Sequence, residues 1–109
     1  MYKRQEANVS YDVLKDLDEI NPEFEDCDVA LILGANDVVN PAAKKPGSAI
    51  YGMPILEAQK SKTIIVNKRT MGVGYAGLDN ELFYDDKTMM FLGDAKECVE
   101  DLIKAVDDL

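Results

Sequence analysis

Lys68, Arg69 and Thr70 close an apolar run that begins at Thr63, and the glycines Gly72, Gly74 and Gly77 follow directly. A guanidinium offers a planar fork of donors, an ammonium adds a point charge, and a threonine adds a hydroxyl and its own N–H; together they suit a phosphate monoester. Dinucleotide sites separate the phosphorylated from the unphosphorylated cofactor by a basic residue at this kind of strand end, which favours NADP over NAD. Two more polar corners share this character. Gly34-Ala35-Asn36-Asp37 follows the apolar run Val29–Leu33, and Gly93-Asp94-Ala95 follows Met89–Leu92. Gly34 lets a ligand approach the backbone closely. Asn36 and Asp37 serve either a ligand or an Asx-type turn that needs none.

For these corners to act together, the runs before them must lie side by side and point the same way. Val29–Leu33, Thr63–Val66 and Met89–Leu92 read as buried parallel strands, spaced widely enough for a helix or long loop between them. Parallel strands gather all three corners on one rim, the usual position of a ligand crevice in an open α/β sheet. Tyr11–Leu17 reads as either an edge strand or a helical turn. Asn21-Pro22 signals a brief helix within Asp18–Cys27, and Pro54–Lys60 can form two helical turns as a crossover. The final helix spans Asp94–Asp108: Ala95, Cys98, Val99, Leu102, Ile103 and Val106 recur at spacings of three and four, with Asp94 as N-cap and Glu97 three residues on.

A chain of 109 residues holds one small domain without an internal linker or repeat. Its net charge of −9 repels phosphate backbones and argues against nucleic acid as a partner. Yet from Lys44 to Arg69 six basic residues face one acid, Glu57, so this segment is locally positive. With no histidine and only Cys27 and Cys98, no zinc-type ligand set can be assembled, and no metal is expected. Cys98 reads as a small core residue in a reducing compartment. No apolar run approaches the roughly 20 residues that span a bilayer. Met1 to Gln5 read as a leader or truncation scar.

Gly72-Val73-Gly74-Tyr75-Ala76-Gly77 spells G-x-G-x-x-G, but a true fingerprint opens a helix directly after the first strand. Here it reads instead as a loop, with Tyr75 as a flat cover over a cofactor or as a core residue. No Ser-His-Asp set, Cys-His pair or obvious carboxylate pair is present, so any chemistry comes from a cofactor.

The order GANDVVNPAA, YGMPILEA, KRTMGVGYAGLDNELFY and GDAK, with YDVLKDLDEIN before it, resembles the NADP(H)-binding domain at the C-terminus of the beta subunit of proton-translocating NAD(P)+ transhydrogenase. The resemblance extends from about Glu6 onward and implies that 6–109 is a partial NADP(H)-binding domain. It implies a Rossmann-like domain that holds NADP(H) and exchanges hydride with NAD(H) on a partner domain or subunit. That exchange would be coupled to proton passage through a membrane domain of the same subunit. It further implies a domain on the cytoplasmic face of a bacterial inner membrane, or the matrix face of the mitochondrial one. Carried over, Gly34, Ala35, Asn36, Asp37 and Val38 lie near the nicotinamide end and pyrophosphate, with Asp37 a candidate for sensing protonation. Gly52 and Met53 touch the cofactor, and Lys68, Arg69 and Thr70 take the 2′-phosphate. Met71, Gly72, Val73, Gly74 and Tyr75 fold over the dinucleotide, and Asp94 with Ala95 lies against the adenosine. None is a covalent catalyst.

The chain departs from that family in lacking its first two strands, the fingerprint loop and the helix between them, so the fold expected is a truncated α/β Rossmann-like sheet with flanking helices. That truncation should leave a bare apolar edge and weak or absent NADP(H) binding by the chain alone. Two alternatives stay open: a non-catalytic, flavodoxin-like phosphate-binding module, and a fragment without activity of its own.

Overall fold

The branched apolar sequence VALIL favours extended backbone, and Val29–Leu33 is strand β1. Thr63–Lys68 forms β2 and Thr88–Leu92 forms β3 in a computed structural model that describes residues 10–70 and 79–109. The strands pair in parallel in the order β1-β2-β3. The chain is therefore α/β, with a small Rossmann-like parallel sheet and flanking helices. β2 runs past the expected Val66, so Asn67 and Lys68 lie within the ladder, Asn67 between Leu33 and Phe91 and Lys68 beside Leu92.

Laterally paired residues of a parallel sheet share a face. On one face Ala30, Ile32, Ile64 and Val66 pack with Val39, Ala58, Leu82 and Phe83 to form the main core, where Ile64 and Val66 have no exposed surface. The other face is covered only in part. The C-terminal helix, Ala95–Asp107, buries Cys98 there, while Val29, Leu31 and Leu33 of β1 remain 44–52% exposed. The expectation that every strand is buried on both faces thus fails for β1 and for β3, where Met89 and Leu92 are 56% and 49% exposed; these are the two edges of the sheet among the described residues. An open apolar cleft of about 270 Å³ separates Leu31 from Val99, Leu102, Ile103 and Val106.

Among the described residues three short helical segments precede β1. Tyr11–Val13 is a 3-10 turn, so the edge-strand alternative for Tyr11–Leu17 is replaced by helical turns. Helix α1, Leu17–Ile20, starts at a capping box in which Asp16 accepts from Glu19 N at 3.1 Å and Glu19 accepts from Asp16 N at 3.3 Å. The helix expected from Asn21-Pro22 forms as a 3-10 segment, Asn21–Asp26.

The β1–β2 connection contains no α-helix, only the 3-10 turns Asp37–Val39, Pro41–Lys44 and Ala58–Lys60. Two helical turns were expected over Pro54–Lys60, but its backbone groups are engaged elsewhere. Asn21 Nδ2 donates to Ile55 O and Glu57 N donates to Asn21 Oδ1, both at 2.9 Å, while Leu56 N donates to Val38 O at 2.7 Å. Ile55 is thereby held in a second apolar cluster with Ala43 and Ile50. Between the second described stretch's start and β3, Glu81–Tyr84 forms a 3-10 turn that buries Leu82 and Phe83. Helix α2 is Ala95–Asp107, capped by Asp94, which accepts from Glu97 N at 3.2 Å.

Candidate functional site

The carboxyl ends of the three strands meet as parallel pairing requires. Gly34 N donates to Asn67 O at 3.4 Å, and Gly93 N donates to Lys68 O at 2.9 Å. The Asn67 side chain, 3% exposed, reinforces the junction by donating through Nδ2 to Phe91 O at 3.0 Å and to Gly93 O at 3.2 Å. The corners beginning at Gly34, Asn67 and Gly93 therefore form one rim. Gly34 turns the chain with φ +69°, a conformation that L side chains rarely adopt. Gly93 has φ +143°, and a Cβ there would stand 3.3 Å from Cys98 Sγ.

Strand alternation divides the basic pair. Lys68 lies on the same side of β2 as Ile64 and Val66, and its Nζ stands 5.1 Å from the centroid of the Phe83 ring. Arg69 reaches the opposite way, toward the start of α2, with Nη2 3.8 Å from Asp94 Oδ1. Asp94 thus caps α2 through one carboxylate oxygen and faces Arg69 with the other. The Arg69 side chain is 84% exposed, so this ion pair is a loose surface contact. Thr70 and Ala95 are exposed beside it.

In the first corner, Ala35 and Val38 pack against the main core, and Asp37 begins a 3-10 turn with its Oδ1 shielded from solvent. Asn36 is half-buried and accepts from Asn80 Nδ2 through its carbonyl at 2.9 Å and through Oδ1 at 3.3 Å. Gly52 and Met53 are placed differently. Gly52 N donates to Ala43 O at 2.9 Å and Met53 packs on the second apolar cluster, so their contacts belong to the β1–β2 connection rather than to the three corners. Met71, Gly72, Val73, Gly74 and Tyr75 lie outside the described residues.

Three residues that organise the rim were not singled out from the sequence. Asn40, with no exposed surface, donates through Nδ2 to Asp79 O at 3.2 Å and accepts from Ala42 N at 3.0 Å. Asn80, 2% exposed, accepts from Leu82 N at 3.0 Å while holding Asn36. Phe83 supplies the ring under Lys68. The available signals were Asn40-Pro41 and Asp79-Asn80, both of which read as turn formers and not as tertiary ties.

Among the described residues no group of three His, Cys, Asp or Glu could hold a metal ion, and no helix is long and apolar enough to cross a membrane. Burial pushes the Cys98 thiol pKa up, as do the carboxylates of Asp101, Asp94 and Glu97, while a hydrogen bond with the Asn67 side chain acts the other way.

Residues 5–105 match the sequence profile of the NAD(P) transhydrogenase beta subunit. The chain belongs to that family. It is similar to NAD(P) transhydrogenase subunit beta of Rhodospirillum rubrum, with 53% identity over 103 residues. A second Rhodospirillum rubrum sequence of the same description, assigned to a particular strain, gives the same identity over the same length. The aligned region takes in 94% of this chain and 22% of each relative. The chain thus spans about a fifth of the length of the beta subunits it matches, and the four motifs that carried the resemblance all lie within the family match.

Proposed function

We propose that this chain supplies the carboxyl-edge part of an NADP(H)-binding unit in a proton-translocating NAD(P)+ transhydrogenase. The observation that carries this reading is the rim itself: three glycine- or asparagine-rich corners joined through Asn67, with Lys68 and Arg69 at the end of the central strand. The donor set fits a 2′-phosphate. One ammonium and one exposed guanidinium stand on opposite sides of the strand end, and a 2′-phosphate at its tip would draw on both once Arg69 swings away from Asp94.

In this role Lys68, Arg69 and Thr70 take the 2′-phosphate, and Asp94 and Ala95 border the adenosine. Gly34, Ala35, Asn36, Asp37 and Val38 line the pyrophosphate and nicotinamide end, with Gly52 and Met53 contributing from the β1–β2 connection. The bound nicotinamide supplies the hydride chemistry, and the residues of this chain bind and orient it. The partners are an NAD(H)-binding domain or subunit and a membrane domain of the same beta subunit. Asp37, its Oδ1 out of solvent on the first corner, is the residue through which protonation would be sensed.

Chemical-shift titration of the chain with 2′,5′-ADP and with 5′-AMP tests this reading, since it detects millimolar binding. The expected result is a clear preference for 2′,5′-ADP, with shifts centred on Lys68, Arg69 and Asp94. Replacing Lys68 and Arg69 together by alanine should abolish the preference. Equal response to both nucleotides, or none to either, would count against it.

A further inference from the structure

Lys68 gains its position from a part of the chain distant in sequence. The Glu81–Tyr84 turn presents the Phe83 ring to Lys68 Nζ, and Phe83 itself is 6% exposed and locked in the main core. The turn and the residues just before it are fastened to the first corner and to the β1–β2 connection at three points. Asn80 caps it through Leu82 N and donates to Asn36; Asn40 donates to Asp79 O; and Lys45 pairs with Glu81 at the surface. A continuous line of contacts therefore runs from Asn36 through Asn80 and Phe83 to Lys68. It links the first corner to the basic end of β2 without passing along the sheet.

We infer that Phe83 is a specificity-positioning residue. Its ring fixes the Lys68 ammonium at the place where a 2′-phosphate is read, and Asn80 fixes the ring relative to the Asn36 corner. The inference rests on the proposed NADP(H) reading and adds the group that sets its selectivity. A ring face attracts the ammonium through its quadrupole and orients the lysine in advance of phosphate binding. A lysine stem released from such a contact has its rotamers to lose again when phosphate binds.

The test compares Phe83→Leu and Phe83→Tyr with the unsubstituted chain. In the ligand-free chain, the ε-methylene protons of Lys68 should be shifted upfield by the ring current. That shift should vanish in Phe83→Leu and survive in Phe83→Tyr. In titrations, Phe83→Leu should lower the preference for 2′,5′-ADP over 5′-AMP by about two- to fivefold, with 5′-AMP binding unchanged, and Phe83→Tyr should retain the preference. Asn80→Ala should lower the same ratio with Phe83 present. A preference that survives Phe83→Leu overturns the positioning role alone and leaves the nucleotide reading intact. No preference in the unsubstituted chain removes that reading and this role together, and a missing ring-current shift overturns the role even if the preference is present. If Phe83→Leu does not fold, Phe83→Tyr with Asn80→Ala decides: an undiminished ratio in Asn80→Ala overturns the role.

Discussion

Asn67 Nδ2 stands 3.2 Å from the carbonyl oxygen of Gly93, so one side-chain amide at the end of β2 holds the turn that leads from β3 into α2. The same amide donates to Phe91 O, and both contacts are made by a residue that is 3% exposed. Replacing Asn67 by alanine takes a donor from both carbonyls, and Phe91 O keeps only the weak contact from Cys98 Sγ at 3.9 Å. Leaving a buried polar group without its partner costs about 1–3 kcal/mol. Asn67→Ala is expected to lose about 2 kcal/mol in a urea melt. An unchanged midpoint would show that water replaces the amide at no cost.

Asp94 serves two neighbours, and a substitution can separate them. Asp94→Asn keeps an N-cap oxygen for Glu97 N but removes the charge facing Arg69. Arg69 is then relieved of a competing carboxylate, and affinity for 2′,5′-ADP should rise by roughly 1.5- to 5-fold, in line with surface ion pairs of about 0.2–1 kcal/mol. Asp94→Ala removes the cap as well and should cost about 1 kcal/mol of stability. Weaker 2′,5′-ADP binding by Asp94→Asn would mean that the carboxylate assists binding instead of competing.

Cys98 gives the fold a dependence on alkaline pH. Its folded pKa is raised above the ordinary 9.0, first by burial and then by neighbouring carboxylates. The unfolded chain therefore releases the thiol proton at lower pH than the folded one. Between the unfolded and the folded value the unfolded state binds fewer protons, so stability falls as pH rises. The contribution is complete below about pH 9 and is lost above it. Melting temperatures measured from pH 7 to 10.5 should drop more steeply for the unsubstituted chain than for Cys98→Ala. Parallel curves would show that other groups account for the whole effect. Over the neutral range the thiol should also react slowly with alkylating reagents.

The cleft between Leu31 and α2 makes a separate prediction. Leu31, Ile103 and Val106 are 44%, 56% and 65% exposed, a concentration of apolar surface of the kind that binds hydrophobic dyes or neighbouring molecules. The double variant Leu31→Lys, Val106→Lys should bind much less anilinonaphthalene sulfonate than the unsubstituted chain. Its stability should change by no more than about 0.5 kcal/mol, as expected for surface positions. Equal dye fluorescence would place the exposed apolar surface elsewhere.

The sheet was legible in the sequence because its signals are local. Short apolar runs, each ending in a glycine or a polar corner, located the three strands among the described residues and placed their corners on one rim. Asp94 and Glu97 with the spacing of Cys98, Val99 and Leu102 likewise located α2. What could not be read was the use of asparagine side chains as long-range ties. Asn21 reaches Ile55 and Glu57, Asn40 reaches Asp79, and Asn80 reaches Asn36, each across more than thirty positions. Such bonds leave no periodicity, and they overrode the helix expected at Pro54–Lys60. The burial of β1 and β3 was overestimated for a related reason: composition marks a strand as apolar but does not say whether a neighbour covers its second face. The candidate site was legible at its corners, whereas the divergence of Lys68 from Arg69 required the register of β2.

The Asn21 clamp on Ile55 and Glu57 has a bearing on how the chain acquires its order. A parallel crossover built around a helix carries a locally stabilised unit that can form early, whereas this one consists of 3-10 turns closed by partners far away in sequence. The segment between β1 and β2 has little reason to hold its shape before the strands have met. Its ordering should come late in folding, and its amides should exchange through partial openings that leave the sheet intact.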